Sequence, residues 1–202
     1  PYDEKHPLNP ANTYGRTKLM AEQVIADWCR ATSGTSAALL RYFNPVGAHS
    51  SGEIGEDPNG VPDNLMPYIA QVAVGRRPHL DVFGDDYETR DGTGERDYIH
   101  VVDLARAHVA AIEFAAATTG CDAFNIGTGK AYSVMDMVKG FEVASSKEVP
   151  VEVVGRRKGD LASYYADASK ANERLGWVAE LDLEDICKST WAWQSRNPKG
   201  YR

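Results

Sequence analysis

The sequence predicts an α/β fold with a largely parallel sheet, on three observations: short apolar runs alternate with stretches of helical period, turn residues separate them, and no repeat or low-complexity tract interrupts the series. Across residues 12–32, Met20, Val24, Ile25 and Trp28 fall at helical spacing and Ser33-Gly34 supplies a stop, so a long amphipathic helix is expected. Residues 37–43 form an apolar run broken only by Arg41, which reads as a buried parallel strand ending at Asn44-Pro45. A helix is expected over 65–75, with Asp63 or Asn64 as N-cap and Pro67 tolerated in its first turn. Residues 80–83 make a short strand, and the Gly- and Asp-rich stretch 84–94 an exposed loop of a kind that often carries function. Extended backbone at 97–100 then leads into a helix over 102–117, a strand at 123–126, a helix over 134–145 and a strand at 149–154. Short helices close the series at 169–175 and 183–195, the latter with Ile186, Thr190 and Trp193 on one face. No linker is visible, so the functional layers are expected to interleave.

Composition bounds the function. The chain has 202 residues, 43% of them hydrophobic, enough for one good core or two small domains. A formal charge of -7 argues against general affinity for nucleic acid or anionic membrane, so an anionic ligand needs a local basic site. Cys29, Cys121 and Cys187 lack metal-ligand spacing and are odd in number, which favours reduced thiols in a cytoplasmic protein and no metal site. No apolar run approaches the roughly 20 residues of a membrane span, and no signal-peptide pattern opens the chain. The loop-like opening Pro1-Tyr2-Asp3-Glu4, without Met, points to a piece of a longer protein or a processed chain.

The strongest chemical signal is Tyr14-Gly15-Arg16-Thr17-Lys18 at the start of the first helix, since an i, i+4 pair shares a helical face. A phenol is a poor base at neutral pH, but a cation about 4 Å away at an effective dielectric of ~20 favours the phenolate by roughly 4 kcal/mol. A surface pair with no chemistry has the same spacing. The second signal, Leu40-Arg41-Tyr42-Phe43-Asn44-Pro45-Val46-Gly47, sits at the C-terminal end of a parallel strand, where open α/β sheets place ligands.

Together these residues resemble the extended short-chain dehydrogenase/reductase family, whose catalytic pair is Tyr-x-x-x-Lys placed in this way before such a strand. Residues 64–73, 91–101, 156–160 and 191–198 resemble the UDP-galactose 4-epimerases within it, and the likeness runs in order along the whole chain. The resemblance implies the C-terminal part of a Rossmann-type parallel sheet plus a small α/β substrate-binding region. Residues 1–45 and 97–126 would be Rossmann-side elements, and 46–96 and 127–202 substrate-binding elements. It implies interconversion of UDP-galactose and UDP-glucose by transient oxidation at sugar C4 through bound NAD, in a homodimer that pairs through the 12–32 helix. Tyr14 would take the proton from the 4-hydroxyl, Lys18 would support the phenolate and bond the nicotinamide ribose, and Phe43 would lie beside the nicotinamide. Asn44, Asn64, Leu65, Phe83, Arg96, Arg157, Asp160 and Tyr164 would bind the nucleotide sugar, the two arginines meeting the diphosphate. The bulky Tyr164 would border the sugar C2 substituent and disfavour N-acetylated sugars.

The family's glycine-rich turn, its acidic ribose-binding residue and the Ser or Thr that completes its catalytic group have no counterpart in these residues. The stretch alone is therefore expected to be inactive, to hold NAD poorly, and to leave a sheet edge exposed. Alternatives are a sister nucleotide-sugar epimerase or dehydratase, and a non-catalytic nucleotide-sugar-binding module. Individual residues also have plainer readings. Asn64 could simply cap a helix, Arg157 could lie in a solvated basic run with Asp160 as surface partner, and His100 and Asp103 read better as orienting and capping groups than as catalysts. Trp177, Trp191 and Trp193 read as packing residues, and Asp167 and Ser169 as caps of the helix after them.

Overall fold

The computed structural model describes residues 1–201. Its elements run α1 (Thr13–Ala31), β1 (Ser36–Tyr42), β2 (Asn44–Val46), α2 (Leu65–Ala73), β3 (Leu80–Phe83), β4 (Glu95–Arg96), β5 (Tyr98–His100), α3 (Val101–Ala117), β6 (Gly120–Ile126), β7 (Tyr132–Ser133), α4 (Val134–Ser145), β8 (Val151–Val154), β9 (Ser163–Tyr164), α5 (Ser169–Leu175) and α6 (Leu183–Arg196). The α/β fold expected from the alternation is present, and its strand pairs are parallel except for β4 with β7.

Local chemistry sets the helix ends. Asn12 caps α1 by accepting from Gly15 N at 2.7 Å. A side chain at Gly15 would meet Pro10 Cβ at 2.9 Å, so the turn into α1 closes only over a glycine. Capping boxes, Ser133 with Asp136 and Asp182 with Asp185, start α4 and α6. Ala168, not Asp167 or Ser169, occupies the N-cap position of α5, and Asp167 Oδ1 accepts from Ser169 N at 3.0 Å one residue earlier than a standard cap.

Two apolar clusters form the core. The first joins Val46, Met66 and Ile69, Leu80 and Val82, Met137 and Phe141, and Ile186 and Cys187 from β2, α2, β3, α4 and α6. The second joins Ile99, Leu104, Ala107, Phe124, Ile126, Ala171 and Trp177. Each large side chain so buried contributes about 1.5–3 kcal/mol. Trp177 and Trp193 are buried, and Trp191 packs edge-on to Phe141 with centroids 6.0 Å apart. At the β5–α3 junction His100 caps α3 by accepting from Val102 N at 3.1 Å, and the buried Asp103 accepts from the backbone of Glu180 and Leu181.

Two expectations need correction. Strand β1 is half-buried, with Tyr42 exposed, because among the described residues only β6 covers an edge of it. The apolar stripe of α1 also points outward: Met20, Val24, Ile25 and Trp28 are exposed, and the buried residue of that helix is Cys29. The three cysteines are free, although Cys29 lies against Cys121 and, after burial, adds to the effects that push the Cys121 thiol up. Burial pushes the Cys187 thiol up to about 12. Among the described residues no group of His, Cys, Asp or Glu is arranged to hold a metal ion, and no helix is long and apolar enough to cross a membrane.

Candidate active site

The chain changes strand partners between Phe43 and Asn44. Phe43 N donates to Ile126 O at 3.0 Å, completing the β1–β6 ladder, and Asn44 N donates to Asp97 O at 3.0 Å, opening the β2–β5 ladder. The two ladders part here, at the carboxyl end of β1, and such a parting leaves a crevice.

A cavity of about 330 Å³ opens beside it. Its lining includes all eight residues expected at a nucleotide sugar: Asn44, Asn64, Leu65, Phe83, Arg96, Arg157, Asp160 and Tyr164. They come from β2, the start of α2, β3, β4, the 155–162 loop and β9. Asn64 stands at the N-cap position of α2 but makes no capping bond; its Nδ2 donates to Glu56 Oε1 at 3.1 Å. The side chain is therefore available to a ligand as well as to the loop before the helix. Asp81, Tyr68 and Tyr87 also line the cavity, and the buried Tyr87 hydroxyl has no partner. Sequence reasoning passed over these three, because nothing in their spacing separates a lining residue from a packed one.

Arg96 and Arg157 line the cavity together with Asp63, Asp81 and Asp160. Arg96 Nη1 donates to Glu95 O and Leu161 O, both at 2.8 Å, which fixes the guanidinium while its Nη2 stays 3.6 Å from Asp160 Oδ1. The same group lies over the Tyr164 ring at 4.7 Å, and Arg157 lies over Phe83 at 3.8 Å. Two planar cations, the aromatic rings they lie over and hydrogen-bonding side chains in one lining suit a ligand that has both a ring and an anionic group.

Tyr164 and Asn44 also line a second cavity of about 400 Å³, together with Phe43, Tyr42, Arg41 and residues of the opening segment. That segment, loop-like in sequence, is bonded in: Tyr2 N donates to Tyr165 O at 2.8 Å, and Asn125 Nδ2 to Tyr2 O at 2.8 Å. Tyr14 and Lys18 line neither cavity. They do share a face at the start of α1, with Lys18 Nζ 5.1 Å from the Tyr14 ring centroid and Tyr14 69% exposed. Arg41 ties α1 to β1 through a two-pronged pair with Glu22, at 2.9 Å from Nε and 2.6 Å from Nη2, and that carboxylate holds the guanidinium above its usual range. The helix that carries Tyr14 is thus anchored to the strand that leads into Phe43.

The chain is similar to known nucleotide-sugar enzymes. Residues 1–190 match the family model described as GDP-mannose 4,6 dehydratase. The UDP-glucose 4-epimerase of Bacillus subtilis is 58% identical over all 202 residues, and that of Homo sapiens 54%. The chain spans about 60% of the length of these relatives (60% and 58%). Among solved structures, the UDP-glucose 4-epimerase of Stenotrophomonas maltophila with bound NAD and formylated UDP-arabinopyranose superposes with a TM-score of 0.96 at 50% identity, over 98% of this chain and 59% of that one. The Bifidobacterium longum enzyme in complex with NAD+ and UDP gives 0.94 at 50% identity, over 100% and 60%.

Proposed function

We propose, because this chain belongs to the GDP-mannose 4,6 dehydratase family, that the whole protein is a UDP-glucose 4-epimerase that interconverts UDP-galactose and UDP-glucose with bound NAD. The observation that carries this reading is the cavity in which Asn44, Asn64, Leu65, Phe83, Arg96, Arg157, Asp160 and Tyr164 meet at the point where β1 gives way to β2. Relatives named UDP-glucose 4-epimerase at 54–58% identity support it.

Binding comes first. Phe83 and Leu65 would hold the uracil, with Asn64 at its edge, and Arg96 and Arg157 would take the diphosphate oxygens. The nucleotide would be held firmly by these charged contacts and the sugar loosely, so that the sugar can present either face. An exposed phenol and an ammonium on one helical face, tied through Glu22 and Arg41 to the strand that leads into Phe43, would suit the nicotinamide end of NAD. The chemistry that NAD supplies when bound is the reversible acceptance of hydride from sugar C4. Tyr14 accepts the 4-hydroxyl proton at its phenolic oxygen and gives it back after the sugar has turned, and Lys18 supports the phenolate.

The outward Met20, Val24 and Trp28 of α1 support a homodimer formed through that helix. The protein would act in the cytoplasm, with no nucleic acid or membrane partner, and residues 1–202 alone would neither epimerise nor hold NAD tightly. The direct test is to purify the full-length protein, release and quantify its nucleotide by denaturation, and follow UDP-galactose conversion without added NAD. Stoichiometric NAD and conversion to UDP-glucose are expected; a protein that binds UDP but leaves both sugars unchanged would refute the reading.

A further inference from the structure

Asp97 is 0% exposed, and its carboxyl oxygens face donors. Oδ1 accepts from Thr128 N at 2.9 Å and Thr128 Oγ1 at 2.7 Å. Oδ2 accepts from Thr128 N at 3.1 Å, Gly129 N at 3.0 Å and Ala166 N at 3.1 Å. Burying a carboxyl is costly unless its oxygens are satisfied, so a residue of this type between Arg96 and Tyr98 of the strand region calls for an account. A Cβ on Gly127 would stand 2.6 Å from Asp97 Oδ2 and 2.7 Å from the Ala166 Cβ, so the glycine is what lets these segments close on the carboxyl.

What the carboxyl holds is the Tyr164 segment. Strand β9 is two residues long, paired to β4 with Arg96 opposite Tyr164. Ahead of it Glu95 N donates to Ala162 O at 2.8 Å, and behind it Ala166 N reaches Asp97 while Tyr165 and Asp167 bond to Tyr2. The backbone oxygen of Asp97 meanwhile accepts from Asn44 N at 3.0 Å. One residue therefore fixes both members of the pair in which the Tyr164 hydroxyl donates to Asn44 Oδ1 at 3.0 Å.

We propose that Asp97 is the positioning residue of the Tyr164 wall: by tethering Ala166 through its side chain and Asn44 through its carbonyl, it holds the phenol where it limits the room beside the sugar. The geometry stands on its own, whereas the consequence for sugar choice rests on the epimerase reading above.

The experiment uses the full-length protein with Asp97→Ala, alone and combined with Tyr164→Cys. In the crystal structure of Asp97→Ala the Tyr164 hydroxyl is expected out of hydrogen-bond reach of Asn44. The kcat/KM ratio for UDP-galactose over UDP-N-acetylgalactosamine should fall about 10-fold, with the Kd for UDP within about 3-fold of wild type. In the double variant the ratio should match that of Tyr164→Cys alone, since the two residues act as one unit. Asp97→Asn, which keeps one oxygen for Ala166 N while its amide can donate to Thr128 Oγ1, should restore the Tyr164–Asn44 bond and the wild-type ratio. Should Asp97→Ala not fold, Asp97→Thr, too short to reach Ala166 N, serves in its place. An intact Tyr164–Asn44 bond with an unchanged ratio in the folded variant would overturn the proposal, as would an effect of Asp97 that persists undiminished on top of Tyr164→Cys. A wild-type protein with no epimerase activity would end the functional reading instead, and the crystal structures would still decide the positioning role.

Discussion

The Tyr164 hydroxyl donates to Asn44 Oδ1 at 3.0 Å, joining residues 120 apart in the chain at the wall shared by the two cavities. The ring is further held by Arg96 over one face and by Phe43 at a centroid distance of 5.8 Å. A side chain so restrained yields little to an enlarged ligand, and overpacking costs about 1–3 kcal/mol, or one to two decades of specificity. Tyr164→Cys in the full-length protein is therefore expected to lower the kcat/KM preference for UDP-galactose over UDP-N-acetylgalactosamine by about 10- to 100-fold, while Tyr164→Phe, which keeps the ring but loses the Asn44 bond, lowers it less. Paired kinetics on both sugars would read this, and an equal preference in wild type and Tyr164→Cys would contradict it.

Acid sensitivity should track His100. Burial holds its imidazole below the ordinary range; Asp103 and Asp185 pull the other way, and Arg106 adds to the depression. Its Nδ1 accepts from Val102 N at 3.1 Å and its Nε2 meets Ser189 Oγ at 3.0 Å, so protonation at Nδ1 breaks the α3 cap. Because the folded form takes up this proton at lower pH than the unfolded form, the contribution is full above the unfolded value of about 6.5 and is lost as pH falls from there toward the folded value. Thermal melts on lowering the pH from about 7.5 to about 5.5 should show a steeper fall in Tm for wild type than for His100→Asn. Parallel curves would rule the histidine out as the sensitive group.

The stripe on α1 predicts an oligomer. Val24 and Trp28 lie one turn apart and are 68% and 52% exposed, and covering each contributes about 1.5–3 kcal/mol. Light scattering of the full-length protein should give twice the monomer mass, with Val24→Glu shifted to monomer. A monomeric wild type at high concentration would contradict the pairing.

Legibility in the sequence followed the length of each signal. Helix α4 spans Val134–Ser145 as expected from its apolar period, and the structure adds a capping box, Ser133 with Asp136, at its start. Strands β4, β7 and β9 escaped notice, since two residues have no period to read, and yet the β4–β9 pairing is what sets Arg96 against Tyr164. The outward face of α1 could not be told from a core face, because amphipathic spacing does not say which partner buries it. That Asn44, Arg96 and Tyr164 share one cavity came from resemblance to a family and not from spacing, as no local pattern joins positions so far apart. Asp97 carries a signal, an acid leading directly into the apolar run at 98–99, but in the sequence it marks no more than the start of an extended segment.

Tyr14, the proposed proton acceptor, stands on α1 with Lys18 Nζ 5.1 Å from its ring. Loss of a positioned acid–base group typically costs about 10²- to 10⁴-fold in rate, and only the chemical step should suffer because Tyr14 lies outside the cavity proposed for the nucleotide. Tyr14→Phe in the full-length protein is the most direct measurement: kcat for UDP-galactose epimerisation should fall by several orders of magnitude while the Kd for UDP stays at the wild-type value. Turnover near wild type in that variant would contradict that role of Tyr14.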